Sequence, residues 1–173
     1  MSRYLRQQDL IDLNKLQETT VAVIGVGAIG RQVALQLAAM GVKHLTLIDF
    51  DTVDEHNLPN QGFRENQLGC YKVEATAEDC KALNKDIELT IINAAYTPRK
   101  HQNCADVVFS CVDSIPVRKA IFEHNNFKLF IDGRMSAEEM RILTINTPID
   151  RHNYESSLQG PFLEAPCTAK STI

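Results

Sequence analysis

The apolar and polar positions along this chain fall into blocks whose periods separate strands from helices. Val21-Ala22-Val23-Ile24 is an unbroken apolar run, the mark of a parallel strand buried on both faces. It breaks at Gly25-Val26-Gly27-Ala28-Ile29-Gly30, a G-x-G-x-x-G turn. A helical pattern follows, with Val33, Leu37 and Met40 on one face and Gly41 as its stop. A second apolar run, Leu45-Thr46-Leu47-Ile48, closes on Asp49-Phe50-Asp51. Further on, residues 87–92, 106–112 and 128–131 read as three more strands. Residues 139–145 alternate polar and apolar, as an antiparallel edge strand does.

Between these strands the pattern predicts helices. One begins at Arg3 and runs through Leu10, Leu13 and Leu16. One covers residues 65–83, with Leu68, Val73, Ala77 and Cys80 inward. One starts at Ser114-Ile115-Pro116, with proline in its first turn, and ends near His124. Residues 52–62 and 93–103 read as polar loops, and residues 152–173 show no clear period and nothing that must be core. Strand and helix alternation of this kind predicts a doubly wound α/β fold, with a mainly parallel sheet and an antiparallel strand at the C-terminal end.

The chemistry gathers at the strand ends. Glycines at 25, 27 and 30 let backbone approach a phosphate, and the helix behind them presents free N–H groups and partial positive charge. Asp49 sits where such folds place the carboxylate that takes ribose hydroxyls. Asp113 and Asp132 close two further strands. Each of the three can hold a ribose or magnesium, or cap a helix. Asn57 and Gln61 are uncharged hydrogen-bonding groups in the loop after the second strand. His56 beside them reads as solvated, and Lys72 by composition alone is one more surface lysine.

Composition narrows the field. Eighteen Lys and Arg against 22 Asp and Glu leave a net charge of −4, which points away from a general nucleic-acid binder. No stretch is long and apolar enough to cross a membrane, and the N-terminus does not read as a signal peptide, so a cytoplasmic protein is expected. Five cysteines without a C-x-x-C pair argue for a reducing compartment and against a zinc site. The length suits one domain spanning residues 1–173.

Six ordered motifs then match a family. Arg3-Tyr4-Leu5-Arg6-Gln7 is an R-Y-x-R-Q arm, and Gly25, Gly27 and Gly30 form the glycine turn. Asp49-Phe50-Asp51-Thr52-Val53 reads D-x-D-x-V, and Asn57-Leu58-Pro59-Asn60-Gln61 approximates N-L-x-R-Q. Gly69-Cys70-Tyr71-Lys72-Val73 reads G-x-x-K-V, and Cys111 through Arg118 reads C-x-D-x-x-x-x-R. Over nearly its whole length the chain resembles the ThiF/MoeB superfamily, enzymes that adenylate ubiquitin-like proteins and sulfur carriers.

The resemblance implies roles. Asp49 would hold the adenosine ribose, with Asp51 and the glycine turn in the same nucleotide site. Lys72 would neutralise the α-phosphate, Asp113 would hold magnesium, and Asn57 and Gln61 would line the triphosphate pocket. Arg6 would reach into the site of a partner subunit in a homodimer. ATP and magnesium are the implied cofactors. The implied partner is a ubiquitin-like or sulfur-carrier protein with a C-terminal glycine. Pro166-Cys167-Thr168 is similar to the cysteine-threonine motif that carries a thioester in the ubiquitin-activating branch, with residues 152–173 as the crossover loop. The chain departs from the pattern at Asn60, where the family has arginine. Either Arg64 supplies that charge, or Arg3 and Arg6 do, or adenylation is weak. The family's zinc-binding cysteine pairs are absent, and the chain stops before the family's last strands. A NAD-dependent oxidoreductase would explain residues 25–49 alone. An inactive partner subunit would explain Asn60.

Overall fold

A computed structural model describes residues 3–7, 9–136 and 139–159. Among them, six strands form one sheet in the order β3-β2-β1-β4-β5-β6. The elements are β1 (Thr20–Ile24), β2 (His44–Asp49), β3 (Glu88–Asn93), β4 (Val107–Ser110), β5 (Leu129–Ser136) and β6 (Glu139–Ile145). Strands β1 to β5 run parallel, and β6 returns antiparallel to β5 with Arg141 opposite Arg134. The order reverses between β1 and β4, which opens a crevice at their carboxyl ends.

The sheet is covered on both faces, and each face has its own core. Helices α2 (Ala28–Met40) and α4 (Lys72–Leu83) pack with Val21, Val23, Leu45 and Leu47 on one side. Helix α6 (Ile115–His124) and helix α7 (Pro148–Ser157) pack with Ala22, Ile24, Val108 and Phe130 on the other. On that second face Phe122, Phe127, Phe130 and Tyr154 form a ring cluster with centroids 4.6 to 5.8 Å apart. Each such pair adds about 0.5–1.5 kcal/mol beyond its burial.

Several elements differ from expectation, each for a local reason. The N-terminal helix α1 covers only Leu13–Glu18, because Asp12 caps it by accepting from the N–H groups of Asn14 and Lys15. The expected helix over residues 65–83 is split. A 3-10 turn at Glu65–Gln67 is followed by Gly69 at φ +78°, and α4 then starts at Lys72. Leu68 is therefore exposed rather than inward, and Cys70 beside it is exposed as well. The loops contain short helices α3 (Asn57–Gln61) and α5 (Pro98–His101). Helix α7 replaces the unpatterned start of residues 152–173. Thr147 and Asp150 form a capping box around Pro148, and Tyr154, 3% exposed, is core.

Candidate active site

One cleft of about 1140 Å3 opens at the carboxyl ends of β1, β2 and β4. Gly25, Gly27 and Ala28 line it, with Asp49, Asp51, Asn57, Asn60, Gln61, Lys72 and Asp113 around them. The residues expected at a nucleotide site, Arg6 and Cys167 apart, are thus gathered at or directly behind one wall.

The three glycines of the turn have different tasks. Gly25 has φ +87°, and a Cβ there would sit 2.8 Å from the Cys111 carbonyl carbon. At Gly30 a Cβ would lie 1.8 Å from the Gly25 oxygen, so this glycine lets α2 rest directly on the turn. At Gly27 a Cβ would meet only the Gln61 Oε1, at 3.9 Å, and the space above it is open to the cleft. Gly27 is also the N-cap of α2 and has no side chain to satisfy the first N–H groups of the helix. An anion is the natural partner for those donors.

Asp49 stitches the turn to the second strand. Its Oδ2 accepts from the Val26 N–H at 2.5 Å, and its Oδ1 accepts from the Asp51 N–H at 2.9 Å. Burial pushes its carboxyl up from the ordinary carboxylate value, opposed by those two N–H donors. Asp51 in turn holds Lys72 twice. Its carbonyl accepts from the Lys72 N–H at 2.9 Å, and its carboxylate pairs with Nζ at 2.9 Å. Lys72 is only 6% exposed. It is no ordinary surface lysine, and the break at Gly69 is what brings it to the first turn of α4, facing the cleft.

Asn57 accepts from the Asp54 N–H at 3.0 Å, which fixes the start of α3. The Gln61 Oε1 is buried without a hydrogen-bond partner beside Gly27, as expected of a group kept for a ligand. Asp113 is exposed and lines the cleft, and it makes no hydrogen bond or ion pair among the described residues. Ser114, not Asp113, is the N-cap of α6. Of the two readings left open for Asp113, the cap therefore falls away. His56 lines the rim with its side chain 83% exposed.

Asp132 is a correction. The expectation was a ribose or metal carboxylate, but this residue is 0% exposed and fully engaged. Arg118 Nη1 donates to it, Arg134 Nε donates at 2.6 Å and the Tyr154 hydroxyl at 3.0 Å. It locks β5 to α6 and α7 behind the cleft. Arg64 is a second correction. It pairs with Asp79 at 2.5 Å and Glu78 at 3.6 Å on α4, and it does not line the cleft. Arg31 shares Asp79 at 2.7 Å and lies over the Phe63 ring. Arg64 therefore does not replace the arginine absent at Asn60. The wall formed by Arg134 and Arg141 was not expected. Only the register of the β5–β6 hairpin, which sets these two residues opposite each other, could have announced it.

Arg3 and Arg6 lie far from this cleft. The arm packs at the C-terminal end of α2, with Gln7 Nε2 donating to the Met40 oxygen at 2.6 Å. The glycine turn is at the other end of this 13-residue helix, about 20 Å away by helical rise. Neither arginine reaches the cleft of its own chain. Cys167 and the rest of residues 160–173 lie outside the described residues. No group of three or more His, Cys, Asp or Glu among the described residues could hold a metal by itself, and no helix there is long and apolar enough to cross a membrane.

The chain as a whole has relatives among known proteins. The model of the ThiF family matches residues 2–173. The chain belongs to the ThiF family. Among ThiF relatives, it is 31% identical over 124 residues to ubiquitin-like modifier-activating enzyme 5 of Caenorhabditis elegans, covering 64% of this chain and 30% of that protein. It is 31% identical over 121 residues to the molybdopterin-synthase adenylyltransferase of Haemophilus influenzae, covering 68% of this chain and 50% of that protein. The chain thus spans half or less of these relatives. Among solved structures it resembles the Escherichia coli tRNA N6-threonylcarbamoyladenosine dehydratase TcdA, with a TM-score of 0.66 and 25% identity over 70% of this chain and 52% of that one. PaaA shares the fold at a TM-score of 0.71 and 23% identity, over 85% of this chain and 51% of that one. The doubly wound sheet with its antiparallel end is thus the ThiF fold.

Proposed function

We propose that this protein binds ATP in the cleft and adenylates the C-terminal glycine of a ubiquitin-like or sulfur-carrier protein. The observation that carries the reading is the convergence on one cleft of three groups: the open N-terminus of α2, the buried Lys72, and Asp113, which has no hydrogen bond or ion pair among the described residues. The names of the relatives, an activating enzyme for ubiquitin-like modifiers and an adenylyltransferase, support the same class.

The carrier's terminal carboxylate attacks the α-phosphorus of ATP. A new oxygen–phosphorus bond forms, the bond to the bridging oxygen breaks, and pyrophosphate leaves with the electron pair. The attacking group is already an anion, so no general base is required and His56 has no task. The obstacle is repulsion between two anions and the charge that grows on the phosphates. Lys72 is held at the cleft by Asp51 to offset it, and the N–H groups behind Gly27 receive the phosphates. Asp49, Asn57 and Gln61 orient the nucleoside and phosphate oxygens. Asp113 suits magnesium, which is commonly held by one or two carboxylates together with substrate phosphates. When bound, the ion would neutralise charge on the leaving pyrophosphate. The arm of a second copy would supply Arg6, since its own chain holds it about a helix length away.

Attack of the Cys167 sulfur on the acyl carbon would follow as a second stage, forming a thioester as the acyl–oxygen bond breaks and AMP leaves, a reading that rests on Pro166-Cys167-Thr168 in the sequence. A Cys167→Ala protein would then keep adenylation and form no reducible adduct with the carrier. Asn60 at the cleft, with Arg64 tied to α4, favours one other reading: a partner subunit that binds ATP and turns it over slowly. Incubation with ATP and a carrier ending in glycine tests the proposal. In the Cys167→Ala protein, mass spectrometry should find the carrier as its adenylate, with pyrophosphate released in equal amount. Tight ATP binding without adenylate would favour the partner-subunit reading, and binding of reduced nicotinamide in place of ATP would overturn both.

A further inference from the structure

In the R-Y-x-R-Q arm, Arg3, Tyr4 and Gln7 hold their own chain, whereas Arg6 makes no hydrogen bond or ion pair among the described residues. Arg3 donates Nη2 to the oxygen of Leu83, the last residue of α4. Gln7 donates Nε2 to the oxygen of Met40, the last residue of α2. Both partners are terminal helix carbonyls, which lack intrahelical donors and carry partial negative charge, so a cation and an amide suit them. The Tyr4 ring lies over Gly41, the left-handed cap of α2 at φ +103°. A Cβ at Gly41 would be 2.8 Å from the ring's Cζ, so the seat exists only because the residue is glycine. The Arg3 guanidinium lies 5.4 Å from the Tyr4 ring centre. Arg6, between these anchors, is exposed and makes no hydrogen bond or ion pair among the described residues.

We infer that Arg3, Tyr4 and Gln7 form a latch that fastens the arm to its own chain and so presents Arg6 to the cleft of a second copy. The inference rests on the reading of Arg6 given above. The latch spends its donors on helix ends and leaves one cation free. An unfastened arm would have to be ordered anew at each encounter. An arm fixed at three points delivers its cation with that entropy already removed. Arg3, Tyr4 and Gln7 are positioning residues, and only Arg6 would touch phosphate.

The test is exchange of labelled pyrophosphate into ATP with carrier present, in single variants and in doubly tagged heterodimers. Tyr4→Ala should lower kcat by about tenfold or more while KM for ATP moves by less than about threefold, because the loss falls on the transition state. A heterodimer of Tyr4→Ala with Lys72→Met should recover about half of the wild-type rate, since one of its two sites keeps both Lys72 and a fastened arm from the neighbouring copy. Gln7→Ala, a milder change, should behave in the same way if Tyr4→Ala does not fold. The control is a heterodimer of Arg6→Ala with Lys72→Met. If that control recovers and the Tyr4 and Gln7 heterodimers do not, the latch is overturned and the trans arginine stands. Wild-type rates in both Tyr4→Ala and Gln7→Ala overturn the latch as well. If the control itself fails to recover, or no dimer forms, the trans reading of Arg6 fails and takes the latch with it.

Discussion

Replacing Asp132 by alanine should cost stability, whereas replacing Asp113 should cost activity alone. Asp132 is 0% exposed and accepts from Arg118, Arg134 and the Tyr154 hydroxyl. Arg118 is itself 5% exposed, so its charge would be left buried without a carboxylate. Breaking a buried pair from one side costs about 3–5 kcal/mol. The Tyr154 hydroxyl would lose its acceptor, a further penalty of about 1–3 kcal/mol that is not additive in one network. Arg134 keeps its bonds to the Ser157 oxygen and Oγ, which limits the damage on that side. We therefore expect a loss of about 4 kcal/mol and a fall in Tm of roughly 8–16 °C for a chain of this size. Asp113 is exposed and unpaired among the described residues, so Asp113→Ala should stay within about 0.5 kcal/mol of wild type. Urea unfolding followed by circular dichroism, without nucleotide, measures both. The midpoint should shift for Asp132→Ala with the slope unchanged. An Asp132→Ala protein within about 1 kcal/mol of wild type would refute the assignment of this residue to the framework.

Four other outcomes are expected. Gly30→Ala should fail to yield folded protein, because its Cβ would sit 1.8 Å from the Gly25 oxygen. Gly27→Ala should fold and bind ATP about tenfold or more weakly, because its methyl would occupy the phosphate approach. Calorimetric titration and melting curves separate these, and a folded Gly30→Ala with normal ATP binding would contradict the reading. Burial pushes the Cys80 and Cys111 thiols up to about 12, so iodoacetamide at pH 8 should modify the exposed Cys70 and spare those two in the folded protein. Rapid labelling of Cys111 on peptide mapping would contradict its position behind the turn. Burial raises the Asp49 carboxyl above 3.8, so the folded state takes up this proton before the unfolded state does as pH falls. Asp49 thus weakens the fold above its raised value, and that cost is relieved as pH drops towards 3.8. Asp49→Asn should remove this component from the stability profile above pH 3.8, and an unchanged profile would show that the carboxylate is not desolvated.

The parts legible in advance were those whose signal is local. The β1–turn–α2–β2 unit is set by unbroken apolar runs and by glycines that no other residue could replace at φ +87° or in contact with backbone. Strand β6 was legible from the polar and apolar alternation of its sequence, although Met140 and Ile142 are exposed at the sheet edge and only Ile145 is buried. The start of α7 carried a signal too, the Thr147 and Asp150 box around Pro148, but its buried face consists of Tyr154 alone and leaves no period to see. Asp132 could not be read, since its partners come from 14 residues before it and 22 after it and meet only across packed helices. Arg64 likewise looks free for a phosphate until α4 brings Asp79 to within 2.5 Å. Carboxylates at strand ends look alike in one dimension, and burial separates Asp113 from Asp132.

The most direct test is pyrophosphate exchange into ATP, with and without a carrier ending in glycine, by the wild-type protein and by Lys72→Met. The account predicts carrier-dependent exchange that falls by about 100-fold or more in the variant, as loss of a preorganised charge at the transition state does, with folding intact. Exchange that persists at the wild-type rate without the Lys72 ammonium would contradict it.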